Sequence, residues 1–346
     1  MAKVSIITGY YNRADALELT LESLRRQTYH DIEIVVFDDA SSDNTQAVLD
    51  TLLERWKDDR FTIRRHQKNI GFVQGLIDAI SATDSEYIAI QGSGDVSHET
   101  RIEKQVARLE QDPKIGMVGG QFTEVQENSS ETRRVAMFPD ANGISINDLI
   151  KRNIYFSHGD VMYRRISYES AGGYRSAFKY SQDYDLWLRI MRNDGVGTVC
   201  ENLYDRYVRF DGVSYSPPKI IEQECYSILA RRMAQMPWDE GLALYEELEC
   251  CGPIALVSPD DSYLQTRVKQ ATLRAMEMQR SDDASWLIEN YITRQPERAV
   301  FLAINRLARF ERIHSILRMA KSSPVLRRLA FFVVKGRKRR YEQQHS

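Results

Sequence analysis

Short apolar runs alternate with segments of helical periodicity along the first third of the chain. Val4–Ile7 and Ile32–Phe37 are rich in β-branched residues, as buried strands are, and leucines recur at helical spacing between them. The alternation continues with a helix opened by Ser42–Asn44, strands at Phe61–Ile63, Tyr87–Ile90 and Ile115–Val118, and helices at Val73–Ala82 and Thr100–Gln111. This pattern predicts an α/β fold with a Rossmann-like, mostly parallel sheet and helices on both faces.

The alternation ends after about residue 120, which suggests a second half of different construction. Residues 121–215 keep strands and loops, and Ser214–Pro218 has the composition of a turn. Beyond Lys219 the pattern is helical, with predicted helices at Ile220–Met236, Leu242–Leu248, Tyr263–Gln279, Trp286–Thr293 and Ala299–Lys321. We therefore expect an α/β domain over residues 1–215 and a helical extension over residues 219–346.

Composition narrows the class of protein. The chain has 346 residues, 42% of them hydrophobic, with a net charge of −2, which excludes a disordered chain and a disulfide scaffold. Its four cysteines form no CxxC pair, so we expect idle thiols in a reducing compartment. The early strand at Val4 predicts that no signal peptide is present, and no apolar run reaches the roughly 18 residues of a membrane-spanning helix.

Ligands of parallel sheets bind at the carboxyl ends of the strands, so the loops there are the first candidates for chemistry. The loop after the first strand, Thr8–Arg13, offers an aromatic side chain that could stack on a base, although taken alone it is more often an ordinary strand-to-helix turn. The loop after the second strand begins with Asp38 and Asp39. Helix capping by Ser42 or Asp43 would not explain Asp39, whose carboxylate could accept from a base.

Residues 4–45 resemble the nucleotide-sugar half of a family 2 glycosyltransferase, which has a GT-A-type fold. That family opens with a Pro-Thr-Tyr-Asn turn and continues to Val-Asp-Asp-Gly-Ser. Gly9 stands here for the proline, whereas Tyr11 and Asn12 are kept. The resemblance implies that these three residues bind the nucleotide-sugar, that Tyr11 stacks near the base and that Asp39 bonds it. By the same resemblance, Asn69 of Asn69-Ile70-Gly71 lies near the diphosphate.

The end of the fourth strand departs from the family. The usual Asp-x-Asp-Asp cluster holds a divalent metal on the donor's diphosphate, but Gly92 and Gly94 replace two of the acids and only Asp95 remains. Three interpretations stay open: Asp95 binds Mg²⁺ or Mn²⁺; the glycine turn, including Gly94, binds phosphate through its backbone without metal; or the protein is not catalytic.

The acceptor side resembles the family in the segment Tyr180–Arg189, whose usual form is Glu-Asp-x-Asp-Leu-x-x-Arg. Gln182 takes the place of the glutamate, and Asp183 is kept. By resemblance Asp183 is the general base that deprotonates the acceptor hydroxyl; its alternative role is a helix cap. Asp185 and Arg189 are four residues apart, which would let them pair on the helix surface.

Three further residues are candidates on the acceptor side or near the diphosphate. His158 would contact the acceptor, although a lone histidine is often structural. Arg206 and Arg209 correspond to a Tyr-Arg element of the family, and a cation there would neutralise the departing diphosphate. Their alternative is a solvated surface charge. The resemblance covers roughly residues 3–215.

The near-neutral net charge conceals a basic tail. Residues 298–340 hold 13 Lys and Arg against one acid, Glu311, and an apolar stripe runs through them. This pattern predicts binding to an anionic membrane surface; the alternative is a helix packed on its own domain. Nucleic acid is not an expected partner, because bulky aliphatic residues take the place of a stacking platform.

Together these features predict an inverting glycosyltransferase that moves a sugar from a nucleotide-sugar, UDP-linked by resemblance, to a hydroxyl of a glycan or lipid-linked glycan. Bacterial cell-surface polysaccharide synthesis on the inner face of the cytoplasmic membrane fits this prediction. A non-catalytic nucleotide-sugar-binding homologue is the alternative. A sugar nucleotidyltransferase is disfavoured because Thr8–Arg13 lacks a glycine-rich, lysine-containing loop.

Overall fold

The computed structural model describes residues 3–126, 132–135, 144–152, 156–208 and 216–308. The chain forms two compact units: Met1–Arg209 with Ala230–Gly241, and Phe210–Leu229 with Leu242–Ser346. Arg209, the turn Ser214–Tyr215 and the basic tail from residue 309 onward lie outside the described residues.

The first unit contains a nine-stranded sheet among its described residues. Its strands are β1 (Val4–Tyr10), β2 (Ile32–Asp38), β3 (Phe61–Arg65), β4 (Tyr87–Gln91), β5 (Val96–Ser97), β6 (Ile115–Gln126), β7 (Thr132–Val135), β8 (Met162–Arg164) and β9 (Gly195–Val208). They are ordered β3-β2-β1-β4-β8-β6-β9-β5, and β7 pairs with β6.

The N-terminal half of the sheet is parallel, as the alternating pattern predicts. β1 lies between β2 and β4 with Ile6 opposite both Ile34 and Ala89, and β3 extends the sheet beyond β2. All seven residues of β1 are buried, which explains why Val4, Ile6 and Ile7 do not alternate with exposed polar residues. The helices of this half are α1 (Leu17–Arg25), α2 (Thr45–Trp56), α3 (Phe72–Ser81) and α4 (Arg101–Gln111).

The second half of the sheet mixes directions. β8 is antiparallel to both β4 and β6, whereas β6 and β9 pair in parallel along most of their length. Antiparallel neighbours need no crossover helix, which explains why the strand–helix alternation fades after β6. This region adds α5 (Ile146–Arg152), α6 (Arg165–Ser170) and α7 (Gln182–Ile190).

Beyond β9 the described chain is helical, as predicted; its residues 230–241 belong to the first unit and the others to the second. Beyond α7 the helices are α8 (Pro217–Gln235), α9 (Trp238–Cys251), α10 (Pro253–Leu256), α11 (Ser262–Glu277), α12 (Ser281–Tyr291) and α13 (Gln295–Ala308). Asp261 caps α11 by accepting from the backbone N–H groups of Tyr263 and Leu264, at 2.9 and 3.1 Å. On α13, Phe301 is buried and Asn305 donates to the carbonyl oxygen of Ser281 at 2.9 Å. Within the described ranges, no helix is both long and apolar enough to cross a membrane.

Candidate active site

The loops that follow β1, β2 and β4 meet at one edge of the sheet. In the register of the sheet Tyr10 pairs with Asp38, and Thr8 pairs with Gln91, so the three strands end side by side. The predicted donor-side residues therefore gather at the carboxyl edge of the parallel strands, where ligands of such sheets bind.

The first two loops are fastened together by Asn12. Its backbone is left-handed, with φ of 53°, and its Oδ1 accepts from the N–H groups of Ser42 and Asp43, at 2.7 and 3.3 Å. Its own N–H donates to Ser41 Oγ at 2.9 Å. The neighbouring Tyr11 is 51% exposed, so its ring is accessible for stacking. Asn12 thus shapes the loop that presents Tyr11.

The two adjacent carboxylates of the second loop have separate tasks. Asp38 is held within its own loop, where it accepts from the hydroxyl of Ser41 and from Gln46 Nε2. Asp39 instead reaches across to the segment that precedes α3. Asp39 therefore belongs to the edge of the sheet where the loops converge.

The carboxylate of Asp39 organises the Asn69–Gly71 turn. It accepts from the N–H groups of Ile70 and Gly71, both at 2.9 Å, and its Oδ1 lies 2.9 Å from His66 Nδ1. A carboxylate has about four acceptor positions, so the protein itself uses most of them, and the side chain of Asp39 is only 4% exposed. Asn69 itself is exposed beside these contacts. His66 is a site residue that sequence reasoning missed, because no local motif connects it to Asp39.

Gly9 has a packing role in this structure. A Cβ atom at this position would overlap the ring of Phe37, and one at Gly75 would overlap the same ring. The two glycines therefore let Phe37 lie between β1 and α3, where it contacts His66 with ring centroids 5.8 Å apart. Ligand contact through the backbone of Gly9 stays a prediction.

Asp95 is turned inward, toward β9. It accepts from the hydroxyl of Tyr204 at 2.7 Å and from the N–H of Tyr207 at 2.9 Å, and it is only 9% exposed. Burial raises the pKa of its carboxyl to about 6, against the opposing influence of Tyr204 and Tyr207. A Cβ atom on Gly92 would overlap this carboxylate, so the inward position of Asp95 requires the glycine.

This arrangement does not fit a bound divalent cation. The carboxylate of Asp95 is already engaged, and a hard cation needs several oxygen ligands. Across the part of the chain that the structure describes, no group of three or more His, Cys, Asp or Glu side chains is placed to hold a metal. We therefore derive no catalytic step through a metal.

The glycine turn also does not present a ready phosphate nest. The N–H of Gly94 donates to Thr20 Oγ1 at 2.9 Å, that of Gly92 to the hydroxyl oxygen of Tyr204 at 3.0 Å, and that of Asp95 to the carbonyl oxygen of Gly92 at 3.2 Å. These three amides serve the protein's own acceptors. The N–H of Gly94 is therefore engaged within the protein, and its contact with phosphate stays a prediction.

Arg206 lies beside the same turn, and its positive charge lowers the pKa of Asp95. Its guanidinium pairs with Glu124 at 2.6 Å and lies over the ring of Phe122, 5.5 Å from the centroid. Arg206 is therefore already paired on the sheet. Arg209 lies outside the described residues.

A buried polar network supports the turn from below. Arg101 is fully buried and donates to Gln91 Oε1 at 3.0 Å, to Ser97 Oγ at 2.8 Å and to the carbonyl oxygen of Ile90 at 2.8 Å. Asp160 lies 3.6 Å from its Nε. Burial raises the pKa of Asp160 to about 7, although Arg101 opposes the rise. Sequence reasoning missed this network, since its members lie on four separate elements.

The predicted acceptor-side residues lie near one another. Burial lowers the pKa of His158 and the negative charge of Asp183 opposes this, so the two side chains are within electrostatic reach. The Nε2 atom of His158 lies 2.8 Å from the hydroxyl of Tyr174, which lies 3.3 Å from that of Tyr163. Trp187 donates to the Tyr163 hydroxyl at 2.9 Å. Through Tyr174 and Tyr163, these contacts connect His158 to Trp187 on α7.

The prediction that Asp185 and Arg189 pair on the helix surface is half correct. They pair at 2.7 Å, but both are buried, with 2% and 5% of the side chains exposed, and Arg175 lies 3.7 Å from the same carboxylate. The pair anchors α7 in the interior. Asp183, two residues earlier, is partly exposed and accepts from the N–H of Tyr184 at 2.8 Å.

One contact connects the donor and acceptor sides. The rings of His158 and Phe72 meet edge to face with centroids 6.0 Å apart. Phe72 is the first residue of α3 and follows Gly71, whose N–H is held by Asp39. His158 therefore touches the segment that the donor-side carboxylate positions.

Comparison with known proteins agrees with this arrangement. The model of glycosyl transferase family 2 matches residues 5–172. The amylovoran biosynthesis glycosyltransferase AmsE of Erwinia amylovora is 31% identical over 205 residues, which cover 58% of this chain and 73% of that protein. The chain belongs to glycosyltransferase family 2. The expectation that it is an enzyme, a glycosyltransferase, is thereby confirmed.

One further relative and one solved structure are also similar to this chain. The Escherichia coli UDP-Glc:alpha-D-GlcNAc-diphosphoundecaprenol beta-1,3-glucosyltransferase WfaP is 26% identical over 224 residues, covering 64% of this glycosyltransferase and 83% of WfaP. The crystal structure of S. aureus TarS 1-349 in complex with UDP matches with a TM-score of 0.54 at 14% identity, covering 92% of this chain and 91% of that one. The likeness to TarS confirms the GT-A-type fold.

Proposed function

We propose that this glycosyltransferase transfers a sugar from a UDP-sugar to a hydroxyl of a glycan or lipid-linked glycan, with inversion at the anomeric carbon. The acceptor hydroxyl gives its proton to Asp183 and its oxygen attacks the anomeric carbon. The bond to the diphosphate breaks on the opposite face, and UDP leaves with the bonding electron pair. The protein contributes mainly by positioning the reactants and stabilising the leaving diphosphate.

The contact between His158 and Phe72 is the observation that carries this proposal. It connects the surroundings of Asp183 to the turn held by Asp39, so a base for the acceptor and a site for the donor share one region. Asp183 is partly exposed in the first turn of α7, which leaves its carboxylate accessible to a hydroxyl. An aspartate suits this role because proton removal is coupled to attack.

The donor assignment rests on the accessible ring of Tyr11 and on the Asp39 carboxylate, which lies at the same edge of the sheet. A uracil presents one imide N–H between two carbonyls, and a carboxylate accepts from such a group. The UDP complex of TarS, which shares the fold, and the UDP-Glc named for WfaP support a UDP-sugar.

The acceptor assignment rests on relatives and on the basic tail. WfaP acts on a diphosphoundecaprenol-linked sugar, and AmsE serves the synthesis of amylovoran, by their names. A lipid-linked acceptor lies at a membrane surface, and the Lys and Arg residues of 298–340 suit an anionic one. We therefore infer a peripheral position on the inner face of the cytoplasmic membrane.

The test is the Asp183→Asn variant, in which the base is lost and the size of the side chain is kept. Transfer from the UDP-sugar should fall by at least about a hundredfold, since general base catalysis contributes about 10²–10⁴. The affinity for UDP should remain within about twofold. The exposed carboxylate of Glu169 on α6 offers a matched control, Glu169→Gln, which should retain full activity. Wild-type rates of transfer by Asp183→Asn would contradict the proposal.

A further inference from the structure

We propose that the guanidinium of Arg13 supplies the positive charge opposite the donor's diphosphate, in the position that an acid-bound cation would otherwise serve. This inference rests on the proposed UDP-sugar donor. It makes Arg13 a binding residue for the pyrophosphate group and makes donor binding independent of a divalent metal.

Arg13 reaches from the first loop of the donor edge to the end of β4. Its backbone N–H donates to Thr45 Oγ1 at 3.0 Å, so the residue is fixed between the first two loops of the donor edge. Its side chain crosses to the end of β4, where Nη2 occupies the space that a side chain at position 94 would fill. The guanidinium therefore lies where the family's acid is missing, and the glycine makes the room for it.

The guanidinium of Arg13 is weakly paired within the protein. Its Nε atom is enclosed and has no hydrogen-bond partner. Its ion pair is with Asp15, at 3.8 Å, and the side chain of that aspartate is 64% exposed. A contact of this length to an exposed carboxylate is weak, because solvent screens it. Arg13 thus retains most of its capacity to bind an anion.

Asp95 is a negatively charged group close to Arg13. The positive charge of Arg13 lowers the pKa of Asp95, so the two groups sense each other across the turn. Asp95 accepts hydrogen bonds from the hydroxyl of Tyr204 and the N–H of Tyr207, and it faces β9. The cation is consequently the group of this pair that remains available to a ligand. A planar guanidinium matches the geometry of phosphate oxygens and can bind two of them at once.

The other donors that the structure describes at this turn are already engaged. Three amides of the glycine turn are committed to internal acceptors, and Arg206 is paired with Glu124. The described acids do not form a cluster for a metal ion. A diphosphate that reaches this edge of the sheet needs a counter-charge, and Arg13 is the cation whose position and pairing fit that need.

The experiment measures binding to the full-length protein by titration calorimetry in excess EDTA. The probes are uridine, UDP and inorganic pyrophosphate, and the variants are Arg13→Gln and Arg13→Lys. Arg26→Gln, at an exposed arginine that directly follows α1, is the matched control. Thermal unfolding establishes that each variant is folded.

Wild-type protein should bind UDP in EDTA, and added Mg²⁺ or Mn²⁺ should change its affinity by less than about twofold. Arg13→Gln should weaken binding of UDP and pyrophosphate by roughly tenfold or more, as expected for a charged hydrogen bond, and leave uridine unchanged. The affinity of Arg13→Lys for UDP and pyrophosphate should lie between those of the wild type and Arg13→Gln, because lysine keeps the positive charge but lacks the planar guanidinium.

Two results would overturn the inference and leave the proposed function intact: equal affinity of Arg13→Gln and wild type for UDP, or wild-type binding of UDP that EDTA removes and Mn²⁺ restores. Failure of the wild type to bind UDP with or without metal would overturn the proposed function, and this inference with it. The uridine measurement separates a loss at the base from a loss at the diphosphate.

Discussion

The hydroxyl of Tyr204 on β9 donates to the carboxylate of Asp95, which follows β4, at 2.7 Å. The two residues are 109 positions apart in the chain. The same hydroxyl oxygen accepts from the N–H of Gly92, at 3.0 Å. One tyrosine therefore holds both ends of the glycine turn and ties the parallel half of the sheet to the mixed half.

Replacing Tyr204 by phenylalanine should destabilise the turn. The change leaves the buried carboxylate of Asp95 with one fewer donor and the N–H of Gly92 without its acceptor. Unsatisfied buried groups of this kind cost about 1–3 kcal/mol each, so the free energy of unfolding in urea should fall by roughly 2–4 kcal/mol. Tyr11→Phe, at an exposed position, is the control and should change stability by less than about 0.5 kcal/mol. Equal stability of Tyr204→Phe and wild type would contradict this role.

The burial of Asp95 should make stability depend on pH. Its pKa is about 6 in the folded protein against an ordinary value of 3.8, so the folded state binds more protons than the unfolded state between these values. The free energy of unfolding should therefore decrease as the pH rises from about 4 to about 6, by up to roughly 3 kcal/mol, and show no further Asp95-dependent decrease above that.

The difference between wild type and Asp95→Asn isolates this effect, because the other titrating groups are common to both. Urea unfolding between pH 4 and pH 8 measures it. Asp50→Asn, at an exposed carboxylate of α2, should give a difference with little pH dependence. The free energy of unfolding of the wild type minus that of Asp95→Asn should fall as the pH rises. If this difference stayed constant or rose with pH, Asp95 would not be buried as described.

The basic tail should be separable from the rest of the protein, but only at the correct position. Truncation near Gln295 would remove α13, whose Phe301 is fully buried, and would expose its partners on the helical unit. Truncation after Ala308 keeps α13 and removes most of the basic residues of 298–340. Because each contributes on the order of 1 kcal/mol near an anionic surface, the shortened protein should no longer sediment with phosphatidylglycerol vesicles.

Two controls define this measurement. Truncation after Arg340 keeps the basic residues and should preserve vesicle binding, and neutral vesicles should bind neither form. Undiminished binding to anionic vesicles after truncation at Ala308 would place the membrane contact elsewhere in the chain. Activity on a water-soluble acceptor should be unaffected, because the candidate active site lies in the first unit.

The sequence alone predicts the parallel half of the sheet and the edge of the sheet where the candidate site lies. Strand and helix periods alternate up to β6, and Tyr11, Asn12 and Asp39 follow strands that end together. Such features are local, because they depend on residues within one strand and the loop after it. The two-residue strand β5 is too short for any period to reveal it.

The partners of the site residues could not be predicted in the same way. His66, Tyr204 and Arg101 have no motif around them, and their roles arise from contacts between distant segments. Asp95 remains in register with the family's cluster, yet its environment turns it inward. Whether a carboxylate faces a ligand or the interior depends on its three-dimensional neighbours, which a linear pattern does not contain.

The two glycines of the β4 turn have a consequence for redesign. A side chain at position 92 would collide with Asp95, and one at position 94 would collide with Arg13. An acid at position 94 would have to adopt a φ of 97° and would displace the end of the Arg13 side chain, and an acid at position 92 would displace the buried carboxylate of Asp95. Restoring the two acids would therefore also change the surroundings of Asp95 and Arg13.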